Sequence, residues 1–216
     1  MRILIAALGI LAGVAGLGID FWIIVPPSFV APEGGARSFP DALVYFWTFF
    51  THLANLGLVL VYVSELAGWS WLGWFRKPTT RALMGGYILL VMLYYHFMLA
   101  PHLVFEGPLL VATILLHYVA PLLYLGWWAA HVPHVALRLA DVPAMLAPGL
   151  IYVGWALLRG ALVHEYPYDI LDAAKYGYGR VAAGVGILML AVALFCTLLV
   201  LADKGLARFG VTRARR

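Results

Sequence analysis

Of the 216 residues, 64% are hydrophobic and 11% are charged, against about 25% charged in an ordinary soluble domain. A chain this apolar cannot cover itself with polar surface, which excludes a freely soluble enzyme or binding module and directs it to lipid. The net charge of +4 is spread over loops and termini, so a basic nucleic-acid footprint is excluded too. The lone Cys196 can form no intrachain disulfide and, with no adjacent histidine, no metal site.

About 20 apolar residues are needed to cross the hydrocarbon as a helix. Six such stretches occur, over residues 3–24, 42–64, 82–103, 108–130, 143–163 and 181–202, and no loop between them is long enough for a further domain. The reading is a single all-α bundle of six transmembrane helices. The first stretch follows Met1-Arg2 and carries Ala15, Gly16 and Gly18, as the cleavage region of a signal peptide would. Its apolar run continues to Ile24, long enough for a retained helix.

With alternating crossings, one face gathers Arg2, the 65–81 and 131–141 loops and the C-terminus, with ten of the fourteen basic residues. Positive charge stays inside, so both termini are expected in the cytoplasm. The opposite face gathers Asp20, Glu33, Asp41, Glu106, Glu165, Asp169 and Asp172. Trp69, Trp71, Trp74, Trp127 and Trp128 lie near predicted cytoplasmic helix ends, where an interfacial belt belongs.

Polar groups inside a membrane are costly and therefore functional candidates. Measured from the outer face, Thr51 lies ten residues into the second span, about 15 Å deep, and His117 nine residues into the fourth, about 14 Å deep. A threonine hydroxyl is a weak nucleophile until a base takes its proton, and a neutral imidazole at the same level is such a base. Asn55, one turn beyond Thr51, is placed to orient either group. His52 points about 100° away from Thr51 around the helix and needs another partner. In the third span His96, beside Tyr94 and Tyr95, belongs to the outer half with His117, and His102 reaches the outer interface. Arg159, near the outer end of the fifth span, has three uses open to it: snorkelling, pairing with Asp169 or Asp172, or holding a substrate carboxylate in its bidentate fork. The outer loop His164-Glu165-Tyr166-Pro167-Tyr168-Asp169 is stiffened by Pro167 and serves either to cap a cavity or to anchor at the interface. His131 and His134 flank Pro133 without a third ligand, so no metal is expected.

Phe50-Thr51-x-x-x-Asn55, His117-Tyr118-x-x-Pro121, and Arg159-Gly160 followed by Tyr166-Pro167-Tyr168-x-x-Leu171-Asp172 together resemble bacterial six-span relatives of the androgen-induced-gene family, which includes the androgen-dependent TFPI-regulating protein. The resemblance runs from the second span to the sixth, and Tyr-Pro-Tyr is its most specific piece. It implies a bacterial inner-membrane protein and a membrane threonine hydrolase of fatty acid esters of hydroxy fatty acids, with the catalytic pair mapping onto Thr51 and His117 and no cofactor. Thr48, one turn earlier, is a competing match. The His-to-Pro spacing is one residue shorter than in animal members, and Asp169 replaces the usual Pro-Phe.

The expectation is therefore a Thr51/His117 hydrolase of a lipid ester. Asn55 or Tyr118 would steady the oxyanion, and Arg159, Tyr166, Tyr168, Asp169 and His96 would support or bind substrate. The alternatives are a non-catalytic lipid-binding or transport protein, and a haem protein with His96 and His117 as axial ligands. The expected partner is membrane lipid. The sequence sets no oligomeric state.

Overall fold

The computed structural model describes residues 1–30, 35–134 and 136–209; Glu33, Arg213, Arg215 and Arg216 of the charge pattern lie outside them. The helices are α1 (Arg2–Ile24), α2 (Phe39–Thr48), α3 (Phe50–Ala67), α4 (Pro78–Tyr94), α5 (Gly107–Ile114), α6 (Ala120–His131), α7 (Val142–Val163) and α8 (Ala173–Arg208). Among the described residues there is no strand, and six helical stretches are long and apolar enough to cross a membrane. Large apolar side chains such as Ile151 and Leu190 are 72% and 73% exposed. Outward-facing side chains of this kind need lipid around them, and the chain is an integral membrane protein.

The second predicted stretch is corrected by the structure. It is not one helix over 42–64: α2 ends at Thr48, Phe49 is extended (φ −76°, ψ 126°), and the membrane-length helix α3 starts at Phe50. No Gly or Pro marks the break. It persists because side chains from elsewhere satisfy the carbonyls that α2 leaves open at its end. Tyr152 Oη of α7 donates to the Thr48 carbonyl at 3.0 Å, and His52 Nδ1 donates to the Phe46 carbonyl at 2.6 Å. His52 also stacks on Phe46, with centroids 4.0 Å apart. Its Nε2 meets Asp20 Oδ2 of α1 at 3.2 Å. That is the second partner the spacing required.

Two spans contain π turns. α4 runs on through Tyr95–Leu99 into a 3₁₀ turn ending at His102, and α5 joins α6 through Leu115–Val119. In each, the alanine after the turn donates five residues back, Ala100 to Tyr95 and Ala120 to Leu115. Each alanine precedes a proline, Pro101 and Pro121, which has no N–H to continue the ladder. The repeated Ala-Pro is the local cause that the sequence offers for both turns. In α7, Pro148 sits inside the helix. Tyr87 Oη of α4 enters the ladder there, donating to the Met145 carbonyl (2.7 Å) and accepting from the Gly149 amide (2.8 Å).

Small residues let α1 approach its neighbours closely. A Cβ on Gly9 would come within 2.3 Å of the Tyr62 ring, and one on Gly16 within 2.7 Å of Leu116. At one end of the bundle Glu65 pairs with both Arg2 and Arg81, and Tyr124 Oη of α6 donates to the Arg81 carbonyl at 2.8 Å. The same end holds His134 Nδ1 against Asp203 Oδ1 of α8 at 3.0 Å. The first and last helices therefore start and finish together. Trp69, Trp71 and Trp74 are exposed there, but Trp127 and Trp128 are buried (0% and 3% exposed) and do not belong to an interfacial belt. Trp127 packs instead against Tyr62 and Tyr124.

Candidate functional site: an apolar cavity at three helix irregularities

The break before α3 and the two π turns meet around one open cavity, with about 690 Å³ of empty space when the solvent at its mouth is included. Helix α4 and its π turn supply Tyr87, Val91, Tyr94, Tyr95 and Leu99. The start of α3 supplies Phe50 and Thr51, the second π turn His117, α7 Gly149, Tyr152 and Val153, α8 Leu188, Met189 and Val192, and the loop between α7 and α8 Tyr168 and Ile170. π turns recur at functional sites because they re-aim side chains that a regular helix would hold elsewhere.

Thr51 stands in the first turn of α3 rather than ten residues down a continuous helix, so the depth argument that singled it out does not hold in detail. First-turn amides have no partner within their own helix. The Thr51 amide donates to Tyr168 Oη at 3.3 Å, and the same oxygen lies in hydrogen-bonding reach of the Thr51 hydroxyl and the Phe50 amide. Burial pushes the Tyr168 phenol up, which keeps its proton in place for donation. Thr48 is different: its hydroxyl donates to the Val44 carbonyl at 2.6 Å, and it does not line the cavity.

His117 is half-buried and stacks on Tyr95, with centroids 4.1 Å apart. Its Nδ1 faces the Thr113 carbonyl at 3.1 Å. A carbonyl only accepts, so Nδ1 carries the proton and Nε2 the lone pair. Thr51 and His117 thus line the same cavity, although no hydrogen bond joins them. Asn55 is fully buried, but touches neither reactive group. Its Nδ2 donates to the carbonyls of Thr51 (2.9 Å) and Leu116 (3.1 Å). Leu116 O is the acceptor that Pro121, lacking an N–H, cannot serve in a π ladder. Asn55 therefore holds the two irregularities together and is not free to receive an oxyanion.

Several other expectations change. His96 is exposed and outside the cavity, where its Nδ1 pairs with Tyr118 Oη at 3.1 Å. Neither residue lines the cavity, although Tyr118 packs edge-on against Tyr95, the ring on which His117 stacks. Arg159 neither snorkels nor pairs with Asp169 or Asp172. It is 6% exposed, and both terminal nitrogens donate to Glu165, one to the backbone carbonyl and one to the carboxylate. The other Glu165 oxygen takes Arg37, which also donates to Asp41 at 3.1 Å. This ion network pins the 164–172 loop; its Arg37–Glu165 half joins residues 128 positions apart and was unread from the sequence for that reason. Tyr166 packs on Gly160 outside the cavity. Asp169 accepts from Lys175 (2.7 Å) and Tyr176 (2.6 Å) at the surface, and Asp172 caps α8. His134 is committed to Asp203 and the Ala129 carbonyl. Among the described residues no three side chains form a metal-binding group.

No family model, curated protein or solved structure matches this chain.

Proposed function

We propose that the protein is an intramembrane hydrolase of lipid esters, with Thr51 as nucleophile and His117 as general base. The observation that carries this reading is the presence of a first-turn threonine and an imidazole with a free Nε2 in one apolar cavity. Their resemblance to the catalytic pair of the androgen-induced-gene family points the same way.

In the proposed cycle Thr51 Oγ1 attacks the ester carbonyl carbon while His117 Nε2 takes the hydroxyl proton. The oxyanion accepts a hydrogen bond from Tyr168 Oη, whose oxygen is itself polarised by the α3 N-terminus. Collapse expels the alcohol, which receives the proton from Nε2 and leaves an acyl-Thr51. A water, deprotonated by Nε2, then attacks that acyl carbonyl. The carboxylic acid departs, Thr51 recovers its proton, and His117 returns to its neutral form. Substrate would enter from the bilayer.

A fluorophosphonate probe tests the assignment. Wild type and Thr48→Ala are expected to label at equal rates and Thr51→Ala not at all. His117→Ala should label more slowly by about 10²–10⁴, the usual contribution of a general base. Equal labelling of all four removes the nucleophile. A second reading, retention of lipid without cleavage, is favoured by the missing Thr51–His117 hydrogen bond and the mostly apolar walls; it expects no labelling of any variant.

A further inference from the structure

We infer that Asp20 is a positioning residue for the proposed reaction: acting through His52, it holds open the break before α3 and so keeps Phe50 and Thr51 on Tyr168. Its effect on chemistry rests on the hydrolase reading; its effect on the start of α3 does not.

The break is an exchange of donors. In a continuous helix the Phe46 carbonyl would accept from the Phe50 amide, and the Trp47 carbonyl from the Thr51 amide, each four residues on. Here both amides turn to Tyr168 Oη instead. Phe46 is buried (1% exposed), so its carbonyl needs another donor. His52 Nδ1 is that donor, at 2.6 Å. Without the Nδ1 proton, the Phe50 amide is the donor within reach of that carbonyl along the chain. Taking it back would close the helix and draw the first turn of α3 off Tyr168.

Asp20 ensures that Nδ1 carries the proton. His52 Nε2 meets Asp20 Oδ2 at 3.2 Å, a nitrogen against an oxygen, so one proton lies between them. If it sits on Nε2, the ring is an imidazolium and both nitrogens donate. If it sits on the carboxyl, Oδ2 donates to Nε2 and the neutral ring keeps its own proton on Nδ1. Both arrangements leave the pair neutral overall, and both put a donor on the Phe46 carbonyl. Asp20 does not line the cavity and reaches the site through this ring.

Close packing of α1 sets the level of the carboxyl. A Cβ on Gly13 would come within 2.6 Å of Val59 of α3. Asp20 is seven residues beyond Gly13 and His52 seven before Val59, about two turns along each of two antiparallel helices.

The test follows the Phe50 and Thr51 amide signals by NMR in full-length, isotope-labelled protein in nanodiscs, together with the rate of Thr51 labelling by a fluorophosphonate. His52→Leu removes the donor and should move both signals. Asp20→Leu should move them the same way and slow labelling about tenfold, the effect of leaving one buried nitrogen without its partner. Asp20→Asn should recover most of both losses, because a carboxamide N–H can donate to Nε2 as the acid does. In a His52→Leu background, Asp20→Leu should change neither reading further. The inference is overturned if Asp20→Leu leaves the two signals in place or labels as fast as wild type. It is equally overturned if Asp20→Asn does no better than Asp20→Leu, or if Asp20→Leu adds its full effect to His52→Leu. Should Asp20→Leu not fold, Asp20→Asn decides alone: signals at their wild-type positions support the inference, and displaced ones overturn it. Signals that respond as expected in a protein that never labels would end the hydrolase reading and leave the role of Asp20 at the start of α3 standing.

Discussion

Replacing Glu165 by Gln would remove one negative charge from between two guanidiniums. Arg159 is 6% exposed, and the Glu165 side chain 30%. Breaking a fully buried ion pair by removing one partner costs about 3–5 kcal/mol, whereas an exposed pair is worth under about 1 kcal/mol. With one partner buried and the other half-buried, about 2 kcal/mol is the reasonable figure, midway between those limits. Gln can still accept one hydrogen bond, but it leaves the Arg159 charge without its counter-ion. The Glu165 backbone carbonyl also bonds Arg159, so the loss falls on the docking of residues 164–172 and not on the bundle. At 1.4 kcal/mol per decade, 2 kcal/mol raises the open fraction of that loop about thirtyfold. Amide hydrogen exchange in micelles reads this directly, since local opening sets the exchange rate. Amides of 164–172 should exchange about thirtyfold faster in Glu165→Gln, while those of α4 and α8 stay at wild-type rates. Unchanged exchange in 164–172 would refute the view that the ion network holds the loop.

Gly160→Ala would place a methyl 2.1 Å from a Tyr166 ring carbon. Overpacking of this kind should lower stability by about 1–3 kcal/mol, and adding Tyr166→Ala should return part of that loss; purely additive melting shifts would count against the contact. Asn55→Leu leaves the Leu116 carbonyl without its donor, at about 1–3 kcal/mol. In a Pro121→Ala background a new backbone N–H can serve that region of the ladder, so the loss should at least halve. An equal loss in both backgrounds would show that Asn55 is not compensating for the proline. At the surface, hydrogen bonds from Lys175 and then Tyr176 hold the Asp169 carboxyl below its ordinary range. A depressed folded pKa means the contact contributes above the ordinary carboxylate pKa of about 3.9 and is lost as pH falls through the lowered value. Carboxyl NMR should find the Asp169 midpoint low in wild type and closer to the ordinary value in Lys175→Gln, where the Tyr176 hydrogen bond remains; an ordinary midpoint in wild type would sink this.

Composition and hydropathy alone determine that the chain is a six-helix membrane bundle. Spans of about 20 apolar residues can satisfy their backbone groups in lipid only as helices, and that requirement is local. Thr51, His117, Arg159 and the Tyr-Pro-Tyr loop also stood out by themselves, because each is polar or stiff in an apolar background. What those residues do was decided by the packing, near in sequence for His117 and Arg159 and far away in the chain for Thr51 and Tyr168. The break at Phe49 has no Gly or Pro to announce it and exists because Tyr152 and His52 receive the carbonyls it frees. The Ala-Pro pairs at 100–101 and 120–121 were visible, but that they yield π turns, and that Asn55 covers the carbonyl left at Leu116, depends on α3 lying against the second turn. Arg159 takes Glu165, nearer in sequence than Asp169 or Asp172, and the far-off member is Arg37, which the fold brings to the other oxygen of the same carboxylate. Short-range pattern sets where helices form and which residues are expensive. Only tertiary packing decides which expensive residue answers which, since a buried polar group is stable with any correctly placed partner and sequence separation does not enter its energy.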